Sequence, residues 1–393
     1  MESKSKRAGF VVAPQTNRFS SKEGDQGEDD LYELLSKQQE TRPVAIEDET
    51  DVFLGANGKM QNVYRLTSVA MMQLCGILSP RLGQVVLNVA GVYPRAKTPD
   101  EEYSLTLAIR MINDLIRLRF SELESQSLII DERAKVVEGL VGSKYRFLSN
   151  LDLFQRVKEQ AEPRLQFYSA AVAGRRMILR YRDPEMLFSL PTPHQRREPF
   201  YAGWHFANSE LGDCCVKASA ILIRQWTRTS SLVPFTGASR LVHFQGPTFD
   251  TKLVRLFSLA ERKAANLVGI EEHVAAMRAR TLGFDGTPQA YPGQVERLAK
   301  ILRKWRISKH LAKDAISKTL LQGSYRSDRL EEAEDGLLRV SESTPSILAA
   351  VRQRNAYDFY NALCSVAQRG SPDQQEHTEE AAYRLLANST SFE

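Results

Sequence analysis

The segment Tyr201–Gly212, YAGWHFANSELG, gathers the residues of this chain best equipped for chemistry. Asn208, Ser209 and Glu210 stand between Gly203 and Gly212, with His205 before them and Asp213 after. At a strand end an Asn–Ser pair caps a turn, because both side chains bond nearby backbone groups. Glu210 is placed to accept two hydrogen bonds from Arg224 on the following strand, where opposite charges help pairing. Ser209, Asp213 and His243 have the residue types of a hydrolase triad, but no G-x-S-x-G elbow surrounds the serine. His205, His243, Glu210 and Asp213 are metal-ligand types, yet HFANSE lacks the H-E-x-x-H spacing. Cys214 and Cys215, adjacent on a strand, would point to opposite faces and could not share an ion. GSK at Gly142–Lys144 lacks the glycine spacing of a phosphate loop, and no G-x-G-x-x-G occurs. No catalytic residue, metal or cofactor is therefore expected.

The second chemistry is the recognition of polyanions. Arg175, Arg176, Arg180 and Arg182 cluster around one hairpin with Tyr168 and Tyr181, and Arg224, Arg228 and Arg240 follow in sequence. Arginine and aromatic side chains on a sheet hold single strands by phosphate contact and base stacking. A later run includes Arg303, Lys304, Arg306 and Lys309 with few acids between them. Each cation placed near a phosphate releases a counterion and strengthens binding at low salt. Trp305 lies within this run but also near the apolar stripe Leu298, Leu302, Leu311, so core packing is its expected role.

These residues need a scaffold, and its elements are legible in part. Hydrophobic residues make up 42% of the 393, enough for at least one sizeable core. Residues 1–60 carry the acidic runs EGDQGEDD and IEDETD and are expected to form a largely disordered acidic arm. Leu66, Val69, Met72, Leu74 and Leu78 recur at helical spacing, with Thr67 or Ser68 as N-cap. An amphipathic helix is predicted over Glu101–Glu124, and another over Asn150–Glu159 with Asn150 as its cap.

Ser127–Asp131 with Lys135–Val141, Leu165–Val172 with Met177–Tyr181, and Phe200–Ser209 with Cys214–Gln225 read as strand pairs. Gly174 supplies a positive φ in the second turn. After Thr251 the chain reads as helical, with a loop at Gly283–Gly293 as boundary, then a basic helix or helical pair over Gln294–Gln322 and a last helix near Pro345–Gln368. The expected fold is α+β: an antiparallel sheet of consecutive hairpins packed against helices, with a helical C-terminal region. The expected division is a core domain over 61–285, a basic helical region over 294–368 and a polar tail over 369–393.

The net charge of +5 permits nucleic-acid contact without demanding it. Four cysteines without a C-x-x-C spacing suit a reducing cytoplasm. No run of eighteen apolar residues is present, so no membrane span is expected.

Several segments together resemble the phage and plasmid proteins called the domain of unknown function 932 family. They are LTSVAMMQLCGILSP (Leu66–Pro80), AIRMINDLI (Ala108–Ile116), YRFLSNLDLF (Tyr145–Phe154) and the G-x-x-x-x-NSELG element of Gly203, Asn208, Ser209, Glu210, Leu211 and Gly212. Arg240, His243 and Gly246 are similar to an R-x-x-H-x-x-G segment of that family, whereas WTRTSS at Trp226–Ser231 departs from its Cys-x-Asn-Gly turn. The resemblance covers about residues 62–285 and implies a place in mobile-element biology rather than an activity. The expectation is a non-enzymatic DNA-binding protein that handles or anneals single strands in recombination or replication, with a homo-oligomer as a further expected partner. The alternatives are a protein-interaction or counter-defence factor using the acidic arm, and a metal-dependent hydrolase or nuclease.

Overall fold

The computed structural model describes residues 10–11, 16–20, 26–55, 58–79, 99–191, 197–224, 232–234, 239–243, 245–265, 275–277, 279, 291–320, 330–332, 338–340, 356–367, 370, 374–375, 377–379 and 381–382. Arg228, the side chain of Arg224 and the loop expected at Gly283–Gly293, up to residue 290, lie outside these residues.

The fold is α+β, as expected. The first half contains β1 (Phe10–Val11), β2 (Thr16–Ser20), α1 (Gln26–Lys37), β3 (Thr41–Ala45), β4 (Arg65–Thr67), α2 (Ser68–Leu78), α3 (Pro99–Leu123), β5 (Gln126–Asp131) and β6 (Val136–Gly142). Among the described residues, β1-β4-β6-β5-β3 form a five-stranded sheet in which β4 runs parallel to both its neighbours. Helix α2 starts where Thr67 Oγ1 accepts the amide of Ala70 at 3.1 Å, the N-cap bond that leaves the least backbone unpaired. Its Leu74 and Leu78 pack with Ile112 and Ile116 of α3 onto Leu66, Leu128 and Val137 of the sheet.

The second sheet contains the larger hairpins. After α4 (Asn150–Ala161) come β7 (Gln166–Ala173), β8 (Arg176–Pro191), β9 (Arg197–Ser209), β10 (Val216–Arg224), β11 (Leu232–Pro234) and β12 (Ser239–Leu241). They pair in the order β11-β10-β9-β8-β7-β2, with β12 also on β10, and every pairing is antiparallel. Gly174 turns the β7–β8 hairpin at φ +56°. Strand alternation sends Met177, Leu179, Tyr181, Trp204, Phe206, Val216 and Ala218 to one face. There they form one core with Leu31 and Leu35 of α1, Phe154 of α4, and Leu253 and Phe257 of α5 (Phe249–Ala265).

The chain then forms α6 (Tyr291–Lys304), α7 (Lys309–Leu320), a ribbon of β13 (Leu330–Glu332) and β14 (Leu338–Val340), and α8 (Ala356–Ala367). The ribbon is not signalled in the sequence, since strands of three residues carry almost no periodicity.

Four expectations are corrected. Residues 1–60 are not a disordered arm where they are described: β2 extends the second sheet through β7, β3 pairs with β5, and Leu31 and Leu35 are buried. Acidic composition misleads here because α1 keeps Asp29, Asp30 and Glu33 outside and two leucines, one turn apart, inside. The region 294–368 is not separate from the core domain, because Leu298, Leu302, Leu311 and Phe359 share a cluster with Phe200, Ala202 and Leu222 of the sheet. The tail from 369 is not a free polar end where described: Gly370, Gln375, Thr378, Glu379, Ala381 and Ala382 are buried. Finally, α4 is capped by Ser149, whose Oγ accepts the amide of Asp152 at 2.9 Å, and Asn150 is its buried first residue.

Candidate functional site

The turn after β9 joins the two sheets. Arg175, in the turn between β7 and β8, reaches across to the first sheet and is almost wholly buried. Its guanidinium bonds Asp131 Oδ2 at 2.6 Å and Gln38 O at 3.2 Å, and lies 3.4 Å from Glu138 Oε1 and 3.5 Å from Glu210 Oε2. Glu210 Oε1 accepts the amide of Asn150 at 2.6 Å. Asn150 Nδ2 donates to Arg175 O, and Asn208 Nδ2 donates to both Leu148 O and Asn150 Oδ1. Three carboxylates thus face one guanidinium inside the protein. Burial drives the Glu210 pKa up to about 7 against the pull of Arg175, and raises that of Glu138 as well.

The remaining motif residues complete this joint. Ser209 Oγ donates to Asp213 Oδ1, and Asp213 also takes Arg176. Tyr145 donates its hydroxyl to Ser209 O at 3.0 Å and stacks on His243 at 5.0 Å between ring centres. Burial lowers the pKa of His243, and its Nδ1 bonds Arg146 O at 3.1 Å. Gly212, at φ +71°, sits where a Cβ would be 3.1 Å from Val141 and 3.2 Å from the Tyr145 ring.

The hydrolase reading loses its geometry here, because the Ser209 hydroxyl is given directly to Asp213 while His243 is held by a backbone carbonyl. Among the described residues no group of three His, Cys, Asp or Glu side chains is arranged to hold a metal. The expected Glu210–Arg224 pair is corrected by register: Arg224 stands opposite Phe200, far along β9 from Glu210, which is taken by Arg175 and Asn150.

A pH effect follows from the joint. A carboxyl whose folded pKa is raised contributes most below its unfolded pKa, and that contribution is lost as pH rises through about 7. The groups facing it are Arg175, Glu138, Asp131 and Asp152. Urea denaturation at pH 5 and pH 8 is expected to show the protein losing up to about 3 kcal/mol across that interval, with Glu138 sharing the effect. Glu210→Gln should flatten the difference; an unchanged slope would place the proton elsewhere.

The basic residues divide in two. Arg175 and Arg180 are corrected as surface contacts, since both are buried in ion pairs. Arg176 is held by Asp213, and Arg182 lies 5.3 Å over the Tyr201 ring and bonds Gln166. Arg240 is exposed on β12. On the far face of the sheet, Arg180 and His205 stand directly opposite each other on β8 and β9. Both close on Glu379, at 2.8 and 3.2 Å. Burial pushes the Glu379 pKa up, but Arg180 and His205 outweigh it and hold the carboxyl below the usual range.

The late run behaves differently. Arg297, Lys300, Arg303, Lys304, Arg306, Lys309 and His310 are all exposed on α6, the turn after it and the start of α7. The shape of this corner has no signal in the sequence. Ile307 N bonds Leu302 O at 3.0 Å and Arg306 N bonds Arg303 O at 2.9 Å, closing α6 in a Schellman motif with Leu302 and Ile307 both buried. Its left-handed position, φ +55°, is taken by Arg306 where glycine is usual. Trp305 packs its ring near Phe359, the core role expected.

The chain is thus an α+β protein with a buried ionic joint and an exposed basic helical corner. No family model, curated protein or solved structure matches it. Among the described residues no helix is long and apolar enough to cross a membrane.

Proposed function

We propose that this protein binds nucleic acid without enzymatic turnover, through the basic corner formed by α6, its closing turn and the first turn of α7. The observation that carries the reading is Arg306. A non-glycine residue at left-handed φ costs of order 1 kcal/mol, yet the position holds an exposed arginine. Two further features support it. Lys309 and His310 stand in the first turn of α7, where the helix dipole disfavours cations but favours an external anion. Across 297–310 no acidic residue occurs. Glu296, just before, pairs with Lys300 at 3.2 Å. The substrate class is single-stranded DNA, bound mainly through phosphates. The resemblance to phage and plasmid proteins supplies the setting, recombination or replication, and self-association along the strand belongs to the same proposal.

The test is a fluorescence-anisotropy titration with single-stranded and duplex oligonucleotides across a salt series. Replacing Arg303, Lys304, Arg306 and Lys309 with alanine should lower the salt slope by about 3, at roughly 0.7–0.9 per lost phosphate contact. Arg306→Gly separates function from folding: it should raise stability by up to about 1 kcal/mol and weaken DNA binding. No binding by the parent protein at low salt would end the proposal.

A further inference from the structure

The C-terminal segment lies over a cationic face that has the equipment of a second binding surface. On the second sheet, Ser169, Arg180, His205 and Ser219 are aligned across β7, β8, β9 and β10 by register. Arg18 lies on the neighbouring row of β2, opposite Ala171. Tyr201, two residues before Gly203 on β9, shares the face of His205 and stacks under Arg182.

Gly370, Gln375, His377 and Glu379 are the described residues that reach these groups or their surroundings. Arg18 Nη2 donates to Gly370 O at 2.5 Å, Glu379 takes Arg180 and His205, and Gln375 Nε2 bonds Glu379 Oε1 at 3.4 Å. His377 Nε2 bonds Trp305 O, in the turn that closes α6, so the segment touches both the sheet face and the basic corner.

We infer that this sheet face is a second site for the phosphates of single-stranded nucleic acid, kept closed by Glu379 as an internal competitor. A buried ion pair gains little net free energy, because desolvation offsets attraction. A phosphodiester carries the same single negative charge as the carboxylate it would replace, and its two terminal oxygens can accept from Arg180 and His205. Gly370, Gln375 and Glu379 belong to no strand of the sheet, so releasing them breaks no strand pairing. Tyr201 and Arg182 beside the site supply a stacking surface that a carboxylate does not use. The inference rests on the nucleic-acid reading above, and assigns that ligand a second location and a gate.

The experiment uses the full chain and a single-stranded oligothymidine of about 30 nucleotides. Glu379→Gln keeps the shape of the segment and removes its charge. It is expected to tighten binding about tenfold and steepen the salt slope by about 1–2, at roughly 0.7 per added contact for Arg18 and Arg180. In the background lacking the four corner cations it should restore binding, and adding Arg180→Gln should abolish that restored binding. Hydrogen exchange in residues 374–382 of the parent protein should rise when the oligonucleotide is bound, which reads the gate without any substitution. If the parent protein binds but Glu379→Gln changes neither affinity nor slope, and exchange in the segment does not rise, the second site is overturned while the corner stands. If only Glu379→Gln binds, the corner reading falls and the sheet site is supported. If neither binds, both are overturned.

Discussion

Arg175→Met is expected to destabilise the protein by about 3–5 kcal/mol at pH 8, the range for removing one partner of a buried ion pair. Methionine keeps much of the volume of the side chain but none of its charge or donors. Asp131, Glu138 and Glu210 then face one another without their shared cation, and Gln38 O loses its donor. Glu138 and Glu210, already raised by burial, would respond by binding protons, so the loss should be smaller at pH 5 than at pH 8. Chemical denaturation at the two pH values checks both the size and the sign. A loss below about 1 kcal/mol at pH 8 would show that the three carboxylates do not depend on this arginine. The joint sits between the two sheets, so the variant should also loosen β2 and β3, visible as faster hydrogen exchange there.

Gly203→Ala is expected to cost about 1–3 kcal/mol, and Gly203→Val more. A Cβ at this position would stand 2.5 Å from Tyr181 O, 2.9 Å from Ile223 Cδ1 and 3.2 Å from Ile221 Cγ1. The nearest of these is a backbone carbonyl on the paired strand and cannot step aside without opening β8 from β9. Gly203 pairs with Arg182 at the edge of the irregularity that runs to Leu187. The bend therefore needs a residue with no side chain. Gly293→Ala is the control: among the described residues nothing lies within 4 Å of its Cβ, and in the helix α6 alanine should add up to about 1 kcal/mol. Thermal unfolding of the three variants compares them directly. Equal melting temperatures for Gly203→Ala and the parent would remove the steric argument.

Much of the scaffold was legible in the sequence because it rests on local periodicity. A cap at Thr67 or Ser68, the helix of Glu101–Glu124, the three hairpins and the left-handed Gly174 all follow from short-range rules, and the α+β class follows from their order. The basic pair of helices was visible for the same reason, since charges recur over one continuous stretch. The candidate site was legible as residue types and mostly not as partners.

Asn208, Ser209 and Glu210 stand out in the chain, but nothing nearby in sequence indicates that Glu210 meets Arg175 and Asn150 rather than Arg224. Arg175 and Arg180 looked like surface cations because burial of a charge depends on carboxylates far along the chain. For Arg180 the partner, Glu379, is 199 residues away. Acidic composition at the start pointed to disorder, while Leu31 and Leu35 found a core formed by α4 and the second sheet. Local pattern was enough to place the longer helices, the three hairpins and the uninterrupted positive run, but not the strands and helix of residues 1–60 or the late ribbon. Which charges are neutralised inside and which remain exposed to solvent follows from the packing of distant segments. Pairing energies depend on distance in space and on exclusion of water, and neither is a property of neighbours along the chain.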